Sequence, residues 1–277
     1  MPQMSVNRQT IFTAKPLLRA GLALMLAAGV AACSQTSRET TGSIAPAASG
    51  RSVEQMSSAE LQGVAQRLGQ SYAKQPSDKA TALRYAAVLQ MSGSTEQALA
   101  VMRKSAIDHP KDRDVLAAYG KALAADGQFE PALQAVRRAQ TPEYPDWRLV
   151  SAEAAILDQL GQNNEARNLY TRALELKPGE PSVLSNLGMS YVLTGDLKTA
   201  EATMRKAAAA PGADSRVRQN LALVVGLQGR FAEAEAIASQ ELSPDQAQAN
   251  VAYLRGMLAQ QNAWNDLKKE DKARKTN

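Results

Sequence analysis

One spacing governs what this chain can fold into. Glycine occurs at 93, 127, 161, 195 and 229, and each interval is 34 residues. Alanine follows the same interval at 98, 132, 166, 200 and 234. An acidic residue precedes each unit, at Asp78, Asp112, Asp146, Glu180 and Asp214. Three columns in register, with no insertion, define the units 79–112, 113–146, 147–180, 181–214 and 215–248. A fixed period of this length belongs to stacked supersecondary units rather than to one globular core. Each column has a physical role. The carboxylate caps a first helix, taking up its orphan N–H groups and matching the positive end of its dipole. The glycine ends that helix where a left-handed backbone is wanted. The alanine lets a second helix approach the first closely, and Pro110, Pro178 or Pro211 stops that second helix.

Composition agrees with paired helices. Aromatics make up 4% of the chain, the sequence is rich in Ala, Leu, Gln, Glu, Lys and Arg, and no window alternates as a half-buried strand does. The pattern resembles the tetratricopeptide repeat (TPR). Unit 147–180 has Gly161, Ala166, Tyr170, Ala173 and Pro178 at the motif's positions. Unit 181–214 adds Leu187, Gly188, Tyr191, Gly195, Ala200, Met204 and Ala207. The departures are the lack of Trp at the first aromatic position, Glu153 in place of an apolar residue, and Gly226 inside a helix. The resemblance implies an all-α TPR solenoid, a right-handed superhelix of helix-turn-helix repeats. Amphipathic helices are expected to cover its two ends. One occupies 58–75 within a segment 58–78, with Leu61, Val64, Leu68 and Tyr72 on one face. The other occupies 244–266 within a segment 244–277, with Val251, Leu254 and Leu258.

The first 57 residues read as an address and a tether. Residues 1–19 are basic, and Ala20 to Ala32 is an uncharged run of 13 residues. That run is short of the about 20 apolar residues a membrane span needs and suits a secretory signal peptide. It ends Val30-Ala31-Ala32-Cys33, which resembles the bacterial lipobox. The resemblance implies cleavage after residue 32 and acylation of Cys33, the only cysteine. The competing reading is an ordinary cleaved signal peptide with a chance cysteine. Ser34, rather than Asp, follows the cysteine, which by resemblance to enteric sorting implies the outer membrane with the folded part facing the periplasm. Residues 33–57 hold the tether. Its stretch 34–52 is rich in Ser, Thr, Ala, Gly and Pro, and nineteen such residues reach roughly 25 Å.

Several function classes drop out. The net charge is +5. Arg8, Lys15 and Arg19 fall in the segment to be cleaved, and most of the remainder sits in the tail Lys268 to Lys275. A nucleic-acid partner, which needs a concentrated basic face, is therefore not expected. The single His109 lies in an inter-unit turn and is read as exposed. With one cysteine it cannot build an ordinary zinc site. There is no G-x-S-x-G, Walker A or G-x-G-x-x-G motif, so neither enzyme activity nor a cofactor is expected. Trp264 and the basic tail are read as a solvated terminus.

The expected partner is another protein. In TPR arrays the first helices line a concave groove. Mapped by resemblance, the groove takes Arg84, Gln90 and Met91 from unit 1 and Lys121 from unit 2. Unit 3 gives Arg148, Ser151, Asp158 and Gln159, unit 4 Ser182, Asn186 and Met189, and unit 5 Arg216, Gln219, Asn220 and Leu223. The partner-binding residues selected are Arg148, Ser151, Asn186, Met189, Arg216, Asn220 and Leu223, with Met189 and Leu223 as apolar anchors. A carboxylate clamp is not expected, since Ser151 and Ala155 stand where Lys and Asn would be needed. Two segments are more specific: 218–224 with 226–231, and 249–255. With the lipobox, the short tether and the five repeats, they resemble the TPR lipoproteins of the tight-adherence (Flp, type IVb) pilus system, the TadD-like family. That resemblance implies an outer-membrane adaptor that helps the pilus secretin to localise or oligomerise. The alternative is an envelope scaffold for cell-wall enzymes or outer-membrane protein assembly.

Overall fold

The structure is a computed structural model that describes residues 57–274 apart from 142 and 144, with backbone only from 262 onward. Cys33, the tether and the side chains of Trp264 and the basic tail lie outside the described residues. Twelve α-helices make up the described part: α1 Ser58–Lys74, α2 Lys79–Met91, α3 Thr95–Asp108, α4 Arg113–Ala125, α5 Phe129–Ala139, α6 Trp147–Gln159, α7 Asn163–Leu176, α8 Pro181–Leu193, α9 Leu197–Ala209, α10 Ser215–Leu227, α11 Phe231–Ala238 and α12 Pro244–Arg274. Each helix packs on the one before it, and each first helix also touches the first helix of the next unit. The chain is a TPR solenoid. No helix among the described residues is long and apolar enough to cross a membrane.

The three sequence columns take on their physical roles. Asp78, Asp112, Asp146, Glu180 and Asp214 each cap a first helix, accepting from the backbone N–H of Thr81, Val115, Arg148, Ser182 and Val217 respectively. Gly93, Gly127, Gly161, Gly195 and Gly229 all have φ near +80°, the conformation that turns the chain between paired helices. The alanine column is sealed, with Ala98, Ala132, Ala166 and Ala200 at 0% exposure and Ala234 at 1%. A fourth column appears at Ala86, Gly120, Ala154, Gly188 and Ala222, again 34 apart. It marks where the second helix lies on the first. A Cβ at Gly120 would sit 2.6 Å from Val136 Cγ2, and one at Gly188 2.9 Å from Met204 Cε and Cγ.

The departures from the motif find explanations in the neighbours. Glu153 is nearly buried because Arg137 Nε donates to its Oε1 at 2.7 Å and Gln140 donates to its Oε2. An ion pair thus ties unit 3 to unit 2 where the motif would place a hydrocarbon. Gly226 leaves room for the next helix: a Cβ there would lie 2.5 Å from Leu254 Cδ2 of α12. His109 is less open than the sequence suggests. Its Nε2 lies 2.9 Å from the Ser77 carbonyl, linking the turn after α3 to the turn before α2.

The C-terminal helix follows the repeat, at a different spacing. Residues 220–227 read Asn-Leu-Ala-Leu-Val-Val-Gly-Leu, and residues 250–257 read Asn-Val-Ala-Tyr-Leu-Arg-Gly-Met. The offset is 30, not 34. The buried residues of α12 obey it: Ala247, Val251 and Leu254 match Val217, Leu221 and Val224 of α10, all buried. Ser243 opens α12 with a capping box, accepting from the Gln246 backbone N–H while its own N–H donates to Gln246 Oε1. Structurally, α12 is a sixth first helix, and it carries on past the point where a second helix would begin.

Candidate functional site

The row of first helices α2, α4, α6, α8, α10 and α12 forms the surface on which a partner can lie. Between α6, α8 and α10 the row is tied by a repeated bond. Asn186 Nδ2 of α8 donates to Ser151 Oγ of α6 at 3.5 Å, and Asn220 Nδ2 of α10 donates to Ser185 Oγ of α8 at 3.1 Å. Each pair is 35 residues apart, one more than the repeat, so the sixth position of one first helix bonds the fifth position of the one before. These hydroxyls are almost closed off, with Ser151 at 2% and Ser185 at 4% exposure. A buried hydroxyl needs a partner, and the asparagine supplies it.

The selected groove residues separate into two groups. Arg148, Asn186, Arg216, Asn220 and Leu223 are half-buried and reach the surface. The two arginines are held by their own helix caps. Arg148 lies over the Trp147 ring, 4.9 Å from its centroid, and 3.8 Å from Asp146. Arg216 Nη2 is 2.8 Å from Asp214 Oδ2. Ser151 and Met189 are not open surface, which corrects their expected exposure. Met189 is 5% exposed and belongs to the buried cluster of Leu221, Val224 and Val225, because the next first helix packs over it. Ser151 is covered by Asn186 in the same way.

Asp158 also proves internal. It is 4% exposed, and its Oδ1 accepts from Asn163 Nδ2 and from Ser190 Oγ of α8, both at 2.8 Å. Burial pushes its carboxyl above the ordinary range, against the pull of those donors, Tyr170 and Arg167. Arg167 completes the junction: it donates to the Ser190 carbonyl and to Thr194 Oγ1 and lies 4.5 Å from the centroid of the Tyr191 ring. These polar groups join units 3 and 4. At the next junction along the array, Glu201, Arg205, Arg230 and Glu233 form a closed ring of ion pairs that joins units 4 and 5. Hydrogen bonding from Arg230, first among several donors, lowers the Glu201 carboxyl to about 2.

Two residues missed by the sequence reading lie on the same surface. Under the offset of 30, Tyr253 and Met257 occupy the places of Leu223 and Leu227. With Ile107 they are the large hydrophobics that stay exposed among the described residues, at 64% and 37%. The signal was present in the second Asn-φ-Ala-φ-φ-x-Gly-φ segment, where φ is apolar. A search confined to 34-residue intervals passes over it.

Comparison with known proteins places the fold among familiar ones. The tetratricopeptide-repeat family profile matches residues 159–224, from the end of α6 into α10. No curated protein matches the chain. Among solved structures, the chain is similar to a thermophilic TPR protein of Thermus thermophilus, with 22% identity over 62% of this chain and 96% of that one and a TM-score of 0.56. It is also similar to PilW, a widely conserved type IV pilus biogenesis factor, with 18% identity over 72% and 91% of the two chains and a TM-score of 0.55. A TPR protein of Parabacteroides merdae gives 19% identity, coverage of 73% and 81%, and a TM-score of 0.55. At these identities the likeness is one of fold.

Proposed function

We propose that this TPR solenoid is a lipid-anchored adaptor of the bacterial outer membrane, facing the periplasm, that helps assemble a Flp-type pilus by binding its secretin. The observation that carries the adaptor reading is the continuous row of first helices. Its α6, α8 and α10 members are tied by the Asn186–Ser151 and Asn220–Ser185 bonds, and it presents Asn, Arg and Leu side chains along one face. Such a face can bond a partner's backbone and seat apolar anchors at once, as protein-binding surfaces do. The anchor rests on Val30-Ala31-Ala32-Cys33, and the pilus assignment on the segments 218–231 and 249–255. The similarity to PilW, titled a pilus biogenesis factor, is compatible with this role. A scaffold does no bond-making chemistry, and the groups joined at Asp158 and Glu201 are spent on holding repeats together.

Deletion of the gene tests the pilus role, and Cys33→Ser tests the anchor. Loss of multimeric secretin and of surface pili is the expected outcome of deletion. Normal secretin and piliation would transfer the reading to the general envelope scaffold. Cys33→Ser should abolish acyl labelling and membrane fractionation, because only a thiol forms the thioether. Unchanged labelling would end the lipoprotein reading.

A further inference from the structure

The two ends of the solenoid are complementary. Every unit joins a first helix to a second through a left-handed glycine, at Gly93, Gly127, Gly161, Gly195 and Gly229. The position 34 before Gly93 is Ala59, and the position 30 after Gly229 is Ala259. Both lie inside helices, so α1 and α12 run straight through the place of the turn. By the same columns α1 is a second helix without a first one. Val64 and Leu68 stand 34 before Ala98 and Met102. Those two are at 0% exposure, whereas Val64 and Leu68 are only half-buried, and Ser71 is open where Ser105 is at 1%. The sequence ahead of α1 lacks the first-helix pattern: Glu54 and Gln55 fall where unit 1 buries Val88 and Leu89. At the other end, α12 is a first helix without a second. Ala252 is exposed, and a Cβ on Gly256 would meet nothing within 4 Å. Arg255 beside them is drawn over the Phe231 ring of α11.

We infer that the open face of α12 receives α1 of a second copy of this chain, so that copies associate head to tail. Such association is independent of which partner the groove takes. Each unit already contains this interface between its own two helices, and those contacts set the register. Gly120 faces Val136 and Gly188 faces Met204, so Ala252 meets Leu68. Gly226 faces Ala234, so Gly256 meets Val64. Sizes match across the two copies. At Gly120 and Gly188 a large second-helix side chain lies on a small first-helix residue, and Leu68 on Ala252 repeats that arrangement. The second pair carries more. All five units have alanine where α1 has Val64. The column of Gly226 holds Gln90, Ala124, Asp158 and Val192 in the other units, and α12 has Gly256 there. The bulkiest member of one column thus meets the smallest kind of the other, and exchanges that conserve volume are the ones a packed interface tolerates. A contact between opposite ends is heterologous, so it builds rows or rings of copies rather than a closed two-fold pair.

The test is disulfide trapping in the full-length chain, held in detergent. Val64→Cys and Gly256→Cys are made in separate chains. In unit 5 a Cβ on Gly226 would lie 3.4 Å from Ala234 Cβ, close to the separation a disulfide spans. Mild oxidation of the mixed chains should therefore give a dimer that neither variant gives alone. A chain carrying both changes should give a ladder of larger species, because its two cysteines sit at opposite ends of the array. The parent, with Cys33 as its one cysteine, is the blank. Adding Ala252→Leu to the Gly256→Cys chain fills the place of Leu68 and should lower the dimer yield about tenfold. Ala252 is open, so that chain should keep the parent's melting profile. Sedimentation of the parent, which needs no new cysteine, should show its size growing with concentration. The inference is overturned if the mixed chains give no dimer, if either variant alone gives as much, if Ala252→Leu leaves the yield unchanged, or if the parent keeps one size throughout.

Discussion

Helices α10 and α12 carry the same eight-residue pattern and meet different surroundings. On the side that faces back toward the preceding unit they agree: Leu221 and Val224 are buried in α10, and Val251 and Leu254 in α12. On the side that would meet a helix of their own unit they part. Ala222 is 7% exposed and Val225 0%, whereas Ala252 and Arg255 are open. Gly226 is closed by Leu254, and a Cβ on Gly256 would have nothing within 4 Å. The back face makes a segment join the solenoid. The front face decides whether the solenoid goes on or stops. A one-dimensional array needs a last member whose outer face is content in water, and α12 has acquired one by changing Val to Arg at one place in an otherwise retained pattern.

Exchanging that residue should give the largest effect. Val225→Arg puts a guanidinium into a site with no exposure and no carboxylate arranged to receive it, at a cost of several kcal/mol, about 3–5. The reverse change, Arg255→Val, removes only the contact between Arg255 and the Phe231 ring, 4.7 Å from its centroid. An exposed cation–π contact contributes about 0.5–1 kcal/mol. Urea unfolding followed by circular dichroism should separate the two clearly. Equal midpoints would mean that the correspondence of α10 with α12 is misaligned.

The alanine pair should rank next. Ala222 packs with Ala238 and Ala247, so Ala222→Leu forces extra atoms into a filled space, typically at about 1–3 kcal/mol. Ala252→Leu extends into solvent and should stay within about 0.5 kcal/mol of the parent. A smaller difference of opposite sign is expected for the glycines. Gly226→Ala gains helix propensity, about 1 kcal/mol, but meets Leu254 Cδ2 at 2.5 Å and Ala234 Cβ at 3.4 Å. The clash should outweigh the gain by about 1 kcal/mol. Gly256→Ala takes the same gain with no clash and should raise the melting temperature. If both glycines respond alike, α12 does not close on α10 as described.

The sequence made the repeat legible because its signals are local and recur. A capping carboxylate, a left-handed glycine and a small alanine each act within a turn or two, and five copies at one interval cannot be overlooked. What it hid depends on a neighbour one unit away. Met189 looks like a surface anchor until α10 is laid over it. Glu153 looks like a fault in the motif until Arg137 and Gln140, 16 and 13 residues earlier, reach it. Asp158 reads as a groove residue because nothing in its vicinity announces the hydroxyl of Ser190, 32 residues on. The sixth first helix was hidden for another reason: its interval shortens to 30, so a fixed period assigns it to a cap and leaves Tyr253 and Met257 out of the binding surface.

The smallest expected effect contrasts two carboxylates, one inside the array and one on its rim. Glu201 is held down to about 2 from an ordinary 4.5, chiefly by Arg230. A lowered value means that the folded state favours the charged form. The ion-pair ring therefore stabilises above about pH 4.5, and the contribution is lost as pH falls toward 2. Asp158 is shifted the other way by burial. Its folded state favours the proton, so its contribution is full below the ordinary carboxylate value and is lost as pH rises through the raised one. The two single variants should then show opposite slopes. The stability advantage of the parent over Glu201→Gln should shrink on acidification between pH 4.5 and 2. Its stability relative to Asp158→Asn should instead rise as the medium is acidified from neutrality. Because Glu201 sits near the surface in reach of water and salt, its change should be only about 1 kcal/mol and should weaken at high ionic strength. The Asp158 slope, enclosed between α6 and α8, should hardly respond to salt. Parallel slopes for the two variants, or equal salt sensitivity, would show that the interior junction and the rim junction are held by the same physics.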